Sequence, residues 1–296
     1  MAFKCDRKRR RLSLWPLLIL FLLVGCNRAL ARSSQAIELF VGQRPVTVYH
    51  WQPDSKVKGT ILFSHGAGSS PLKYAPLTES WVRLGYEVYA PLHVDSTDHP
   101  QTDNYKGLAS WTTRLQDMQL LAANFGSDGY VAAGHSYGAL TALVKGGAEG
   151  LVPPEITSPS FDPKVELVLA FSPPPAIPGF IEKSGYSHLA VPALIQTGTE
   201  DIPMGSATTW KGHLDAYDAA TERGNTYSLV LDDVDHYFGG LICRPELPGP
   251  HQSEQMNQAL DIAALILNRY AQQNMQSAQE LTQRLGKHGK ALLKRK

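Results

Sequence analysis

The sequence predicts an α/β fold: one domain built on a doubly wound, mainly parallel sheet with helices on both faces. Three observations predict it. Short apolar, β-rich runs alternate with stretches of helical periodicity along most of the chain, the order that sets helices between parallel strands. Several of those runs are apolar at consecutive positions rather than at every second one, as in strands covered on both faces. The 296 residues, 43% hydrophobic and 19% charged, show no internal repeat and no linker with the composition of a domain boundary.

The amino terminus reads as an address. Residues 1–11 carry six basic side chains and one acidic one, and thirteen mostly apolar residues follow at 12–24, interrupted by Ser13 and Pro16. That run is shorter than the roughly 20 residues needed to span a bilayer and has the pattern of a secretory signal peptide. Its end, Leu23-Val24-Gly25-Cys26, resembles the bacterial lipobox. The resemblance implies that residues 1–25 are a lipoprotein signal, that Cys26 is acylated, and that the exported protein is anchored on the periplasmic or outer side of a bacterial membrane. An ordinary cleaved signal ending near Ala29-Leu30-Ala31 is the alternative. With Cys5 removed and Cys26 lipidated, only Cys243 remains of three cysteines, so no internal disulfide is expected.

Residues 26–56 form the mature amino terminus, with an edge pair at 37–40 and 47–51. The catalytic domain is placed at 57–275. Its strands are expected at 60–64, 87–90, 130–133, 165–171, 193–197 and 226–231; its helices at 74–84, 110–125, 139–145, 212–223 and 254–275. The proline-bearing segments 147–163 and 173–190 cannot continue a helix or central strand and are expected to shape the mouth of a pocket. Residues 276–296 read as a basic tail. Six basic and no acidic side chains fall within 284–296, and Leu281, Leu285, Leu292 and Leu293 are partly helix-spaced, so the tail is expected to be solvated or to meet anionic lipid headgroups. The net charge of +1 hides this segregation: residues 12–283 hold 16 basic against 26 acidic side chains, a net of −10. An acidic body argues against nucleic acid as a partner.

The chemistry collects at strand ends, where open α/β sheets bind ligands. Gly134-His135-Ser136-Tyr137-Gly138 is a G-x-S-x-G pentapeptide lying directly between a predicted strand and a predicted helix. Flanking glycines permit a sharp turn that lifts the serine to the tip, and the helix start behind it favours developing negative charge. Downstream, the strand at 193–197 runs into Gly198-Thr199-Glu200-Asp201, and the strand at 226–231 runs into Asp232-Asp233-Val234-Asp235-His236-Tyr237-Phe238. After the strand at 60–64 comes His65-Gly66-Ala67-Gly68, whose small residues let backbone amides approach a substrate.

Taken together, these motifs resemble the α/β-hydrolase superfamily, in which a serine nucleophile is followed in chain order by an acid and a histidine. The resemblance implies Ser136 as nucleophile, Asp201 as acid, with Glu200 or the cluster Asp232, Asp233 and Asp235 as alternatives, and His236 as base. It further implies the backbone amides of Ala67 and Tyr137 as the oxyanion hole, with His65 bracing that loop. His213 lies in a predicted helix, and His188 and His251 lie in proline-flanked loops without a preceding strand, so all three read as solvated or packed. Within the superfamily the motifs look most like dienelactone-hydrolase-like and platelet-activating-factor-acetylhydrolase-like esterases. Dienelactone hydrolases proper carry a cysteine nucleophile, and Ser136 therefore favours hydrolysis of a small-molecule carboxylic ester. No metal or other cofactor is expected, since neither metal-ligand spacing nor a phosphate loop occurs. The alternatives are a non-catalytic surface lipoprotein that uses the fold as a binding module, and an acyltransferase or amidase on the same triad. The sequence leaves the oligomeric state open.

Overall fold

The computed structural model describes residues 1–2, 34–105, 107–156, 160–202 and 209–296. The signal, the lipobox and Cys26 lie outside the described residues. Among the described residues ten strands form one sheet: β1 (Gln35–Val41), β2 (Arg44–Trp51), β3 (Gly59–Ser64), β4 (Tyr86–Pro91), β5 (Tyr130–His135), β6 (Val165–Phe171), β7 (Ala193–Gly198), β8 (Thr226–Leu231), β9 (Gly286–His288) and β10 (Ala291–Arg295). Their spatial order is β1-β2-β4-β3-β5-β6-β7-β8-β10-β9. The six central strands from β4 to β8 are parallel, and an antiparallel hairpin closes each edge.

Helices cover both faces because consecutive strand residues point to opposite sides and both sides are apolar. On β3, Ile61 and Phe63 pack with Leu77 and Trp81 of α1 (Ala75–Arg83) and with Ala259 and Ile266 of α5 (Ser253–Tyr270). Leu62 faces the other way, into a second core with Leu115 and Met118 of α2 (Trp111–Phe125) and Leu140 and Leu143 of α3 (Tyr137–Lys145). None of the described helices is long and apolar enough to cross a membrane.

Three expectations differ from the structure. The helix expected at 212–223 is a 3₁₀ turn (Trp210–Leu214) followed by the short α4 (Asp215–Ala219), because Ala220 takes extended angles of φ −56°, ψ 142°. The helix expected through 275 ends at Tyr270. Gln273 adopts φ 52°, and Asn274 then caps α6 (Met275–Gln283) by accepting a hydrogen bond from the Ser277 amide at 3.0 Å. The largest difference is at the carboxyl end, where the segment 276–296 is no solvated tail. It supplies α6 and the hairpin β9–β10, which adds antiparallel to β8 with Leu293 opposite Leu229. Leu281 and Leu293 are buried, so two of the leucines read as a helical stripe belong to the core. The basic residues have acidic partners close by: Lys287 pairs with Asp232, and Lys290 pairs with Asp233 at 3.0 Å.

Candidate active site

The G-x-S-x-G segment forms a turn between β5 and α3 in which Ser136 adopts φ 54°, ψ −123°. A non-glycine residue at positive φ is strained and persists only where its surroundings hold it. Here the Ser136 amide donates to the Phe171 carbonyl at 2.9 Å, and its carbonyl accepts from the amides of Ala139 and Leu140. The flanking glycines are required by contact. A Cβ on Gly138 would sit 1.9 Å from the Ser64 carbonyl oxygen, and one on Gly134 would sit 2.1 Å from the Gly138 carbonyl oxygen. The closeness of Gly138 to β3 is what brings the turn against the loop after β3.

Asp201 and His236 meet. His236 Nδ1 donates to Asp201 Oδ1 at 2.8 Å, while the other carboxylate oxygen accepts from the Thr197 hydroxyl at 2.9 Å. Burial alone would raise the Asp201 carboxyl, but the imidazoles of His213 and His236 against it override that and hold it well below the usual carboxylate range. His236 is in turn tied to the residue before Ser136. The ring nitrogen Nε2 of His135 donates to the His236 carbonyl at 2.9 Å, and the two rings lie 4.7 Å apart. Since a carbonyl only accepts, His135 carries its proton on Nε2 and accepts at Nδ1 from the Tyr74 hydroxyl, 3.0 Å away. The Tyr74 oxygen accepts from the Gly66 amide at 2.9 Å. One directional chain of hydrogen bonds therefore joins the loop after β3, the serine turn and the histidine loop.

The loop after β3 is held from beneath. The Gly66 carbonyl accepts from His65 Nδ1 at 2.8 Å, from the Ser69 amide at 3.1 Å and from Arg114 Nη2 at 3.3 Å. In a planar trans peptide the N–H points opposite to the C=O, so the Ala67 amide is turned away from these donors. Tyr137 is the first residue of α3, where an amide has no partner within the helix. His65 braces the loop: its Nε2 accepts from the His93 amide at 3.1 Å, and burial, followed by the nearby His93 and Arg114, pushes its pKa well below the ordinary histidine value.

The other carboxylates named above have surroundings of their own. Glu200 is exposed, Asp232 and Asp233 pair with lysines, and Asp235 accepts from the amides of Tyr237 and Gly239 at 2.8 and 3.0 Å. The family model for alpha/beta hydrolases matches residues 61–277, a span containing every one of these groups. The chain belongs to the alpha/beta hydrolase family.

Solved structures resemble this hydrolase over most of its length. An esterase from Thermogutta terrifontis in its native form gives a TM-score of 0.59 at 17% identity, covering 80% of this chain and 92% of that one. An alpha-beta serine hydrolase homologue from Coxiella burnetii gives 0.55 at 15% identity, covering 79% and 99%. A dienelactone hydrolase from Anabaena variabilis gives 0.54 at 18% identity, covering 80% and 98%. At these identities the likeness is one of fold. No curated protein matches the sequence.

Two parts of the hydrolase's site escaped the reading of its sequence. The first is His213, expected to be solvated or packed without a role. It is 2% exposed, with Nε2 2.7 Å from Asp201 Oδ1 and Nδ1 2.6 Å from the Pro173 carbonyl. The second is a buried ionic network under the loop after β3. Arg114 grips Asp95 through Nε (3.0 Å) and Nη2 (2.9 Å), donates to the His65 carbonyl at 2.7 Å, and lies 4.5 Å from the centre of the Tyr137 ring. Asp117 pairs with Arg44 at 2.7 Å and accepts from His93 at 2.8 Å. Burial pushes the Asp117 carboxyl up to about 6 against the pull of Arg44. A signal for Arg114 was present in the sequence. In the helix at 110–125 it falls within the stripe of Trp111, Leu115 and Met118, where a charge must be buried and paired.

Proposed function

We propose that this hydrolase cleaves small-molecule carboxylic esters through a Ser136–His236–Asp201 triad and an acyl-enzyme. Ser136 Oγ attacks the ester carbonyl while His236 Nε2 takes its proton, the only ring nitrogen free to do so because Nδ1–H is donated to Asp201. The amides of Ala67 and Tyr137 receive the oxyanion. His236 then returns the proton to the leaving alcohol, and water repeats the sequence to release the acid and restore Ser136. The reading rests on one observation above the rest: the histidine that contacts the buried carboxylate at 2.8 Å is also tied, through His135, to the strained serine turn. A purely binding role places no such demand on the backbone of a serine.

A fluorophosphonate probe tests the assignment, and organophosphate chemistry suits the fold, since the Thermogutta esterase is recorded as phosphorylated by paraoxon. Stoichiometric labelling is expected on a single peptide at Ser136, with turnover of p-nitrophenyl esters exceeding that of the matched anilides. Labelling elsewhere, or faster cleavage of the anilides, overturns the reading.

We also propose, from the Leu23-Val24-Gly25-Cys26 motif, that the enzyme is exported to the periplasmic or outer side of a bacterial membrane and held there by lipid on Cys26. Incorporation of a clickable palmitate analogue into the full chain is expected, and Cys26→Ala is expected to abolish both incorporation and recovery with membranes. Wild-type protein that takes up no label contradicts the proposal.

A further inference from the structure

The pair formed by Asp201 and His236 is part of a group of three. His213 adds a second imidazole to the same carboxylate oxygen, and the ligand-type atoms of Asp201, His213 and His236 all lie within 4.8 Å of one another. The arrangement of His213 is chemically pointed. Its Nδ1 lies 2.6 Å from the Pro173 carbonyl, which only accepts, so Nδ1 carries a proton. The other nitrogen, Nε2, is buried, makes no well-directed hydrogen bond, and yet faces Asp201 Oδ1 across 2.7 Å. A nitrogen lone pair set that close to a carboxylate is repelled unless a positive centre lies between them. A proton on Nε2 serves in the metal-free protein; a divalent ion serves as well.

We propose that Asp201, His213 and His236 form a Zn²⁺ site whose occupation switches the esterase off. The ligand chemistry fits. Two imidazoles and one carboxylate form a common zinc set, with bonds of about 2.0–2.2 Å and a fourth, open position for water. Ligand atoms of a tetrahedral ion at such distances stand about 3.3 Å apart, so the present 2.7 and 2.8 Å contacts need to open by about half an ångström. The surroundings already orient the donors. The bond from Nδ1 to the Pro173 carbonyl points His213 Nε2 inward, and Thr197 holds the second oxygen of Asp201 at 2.9 Å, leaving Oδ1 for the ion. His236 is 16% exposed at the side chain, which leaves a way in.

The inhibitory consequence follows from the tautomer. Zinc on His236 Nδ1 takes the place of the single ring proton that Nδ1 donates to Asp201; that proton passes through solvent to Nε2, so the neutral, zinc-bound ring has its N–H on Nε2. That nitrogen is the one required to accept a proton from Ser136, so the metal-bound enzyme has no base. On the His213 side, one proton leaves Nε2 as the Zn–N bond forms. Binding itself is independent of the proposed ester hydrolysis; only the loss of activity rests on it.

The test uses the purified full chain and Zn²⁺ in competition with a chromophoric chelator. One tightly held Zn²⁺ is expected per chain in both the wild type and Ser136→Ala, whose substitution touches no ligand. His213→Asn and His213→Gln are each expected to weaken the affinity by roughly 100-fold or more, and Ca²⁺ and Mg²⁺, which prefer all-oxygen sites, are expected not to compete. In parallel, wild-type ester turnover is expected to vanish at one equivalent of Zn²⁺ and to return with EDTA, whereas the His213 variants keep their own metal-free rate at that concentration. Equal affinity in wild type and His213 variants overturns the proposal, as does inhibition at the same Zn²⁺ concentration in both. Should neither variant fold, Co²⁺ added to Ser136→Ala decides: intense visible bands of a tetrahedral ion support the site, and the weak bands of an octahedral ion overturn it. A protein that binds one Zn²⁺ in this way but hydrolyses no ester contradicts the proposed function and leaves the metal site standing.

Discussion

Ser136→Ala is expected to lower ester turnover by about 10⁴- to 10⁶-fold with little change in KM, because the hydroxyl is needed for bond making and adds little to ground-state binding. The variant keeps the backbone cradle, so it is expected to fold. Alanine at φ 54° loses no hydrogen bond that the structure gives the turn, since those bonds use the Ser136 amide and carbonyl. His236→Ala is expected to fall nearly as far, and Asp201→Asn by about 10⁴-fold, because an asparagine no longer holds the imidazole proton on Nδ1. Double variants are expected to be hardly worse than the worst single one, since the three groups act as a unit. Glu200→Gln serves as the control: its side chain is exposed, and its activity is expected to stay within about twofold of wild type. Single-turnover kinetics with a p-nitrophenyl ester separate these outcomes. A Ser136→Ala enzyme that retains burst and turnover sinks the nucleophile assignment, and an Asp201→Asn enzyme of near-normal activity sinks the acid.

Much of this arrangement was legible in the sequence because it is encoded over short spans. The serine turn is written in five residues between a strand and a helix, and its glycines answer to clashes with Ser64 and with the turn itself. Asp201 and His236, the proposed acid and base, each follow the end of a strand, so an apolar run and the next few residues suffice to locate them. The central strands were legible for the same reason: Ile61, Leu62 and Phe63 are apolar in succession because one face of β3 meets α1 and α5 and the other meets α2 and α3. What escaped depends on chain segments far apart. His213 gains its partner only because a 3₁₀ turn places it beneath the Pro173 carbonyl and against Asp201, and no local pattern marks that turn. The carboxyl-terminal hairpin was hidden by its charges. Its lysines look solvated until Asp232 and Asp233, more than 50 positions earlier, come to lie beside them, and its turn rests on Gly289 at φ 57°.

Arg114→Met is expected to lose roughly 10- to 100-fold in kcat, less than removal of a whole oxyanion donor, and also about 3–5 kcal/mol of stability, two effects with separate causes. The first arises from the loop after β3. Arg114 donates to the carbonyls of His65 and Gly66, at 2.7 and 3.3 Å; the Gly66 carbonyl belongs to the peptide that presents the Ala67 amide, and the His65 carbonyl to the peptide before it. Without the guanidinium the Gly66 carbonyl keeps its donors His65 Nδ1 and the Ser69 amide, but the His65 carbonyl loses its donor and the loop is held less firmly, so under the proposed mechanism the Ala67 amide meets the oxyanion less accurately. The second cause is Asp95, which is 5% exposed and gripped by one edge of the guanidinium through Nε and Nη2. Burial by itself would raise the Asp95 carboxyl, whereas the charge and hydrogen bonds of Arg114 hold it at about 2. The sign of the pH effect follows. A carboxyl held below its ordinary value of 3.8 contributes stability that is present above that value and is lost as pH falls through 2. In the wild type this group therefore withdraws about 2 kcal/mol between pH 5 and pH 2. In Arg114→Met the charge and hydrogen bonds of Arg114 are gone and burial is opposed only by the nearby His65 and His93, so the carboxyl rises and acidification withdraws less stability from it. Urea unfolding of both proteins at pH 5 and pH 3 is expected to show the difference in stability between them narrowing at the lower pH. Arg114→Lys keeps the charge but has no planar fork to reach Asp95 and two carbonyls together, so it is expected to recover stability more fully than kcat. An Arg114→Met enzyme that is destabilised yet turns over ester at the wild-type kcat shows that Arg114 supports the fold without holding the loop proposed to receive the oxyanion.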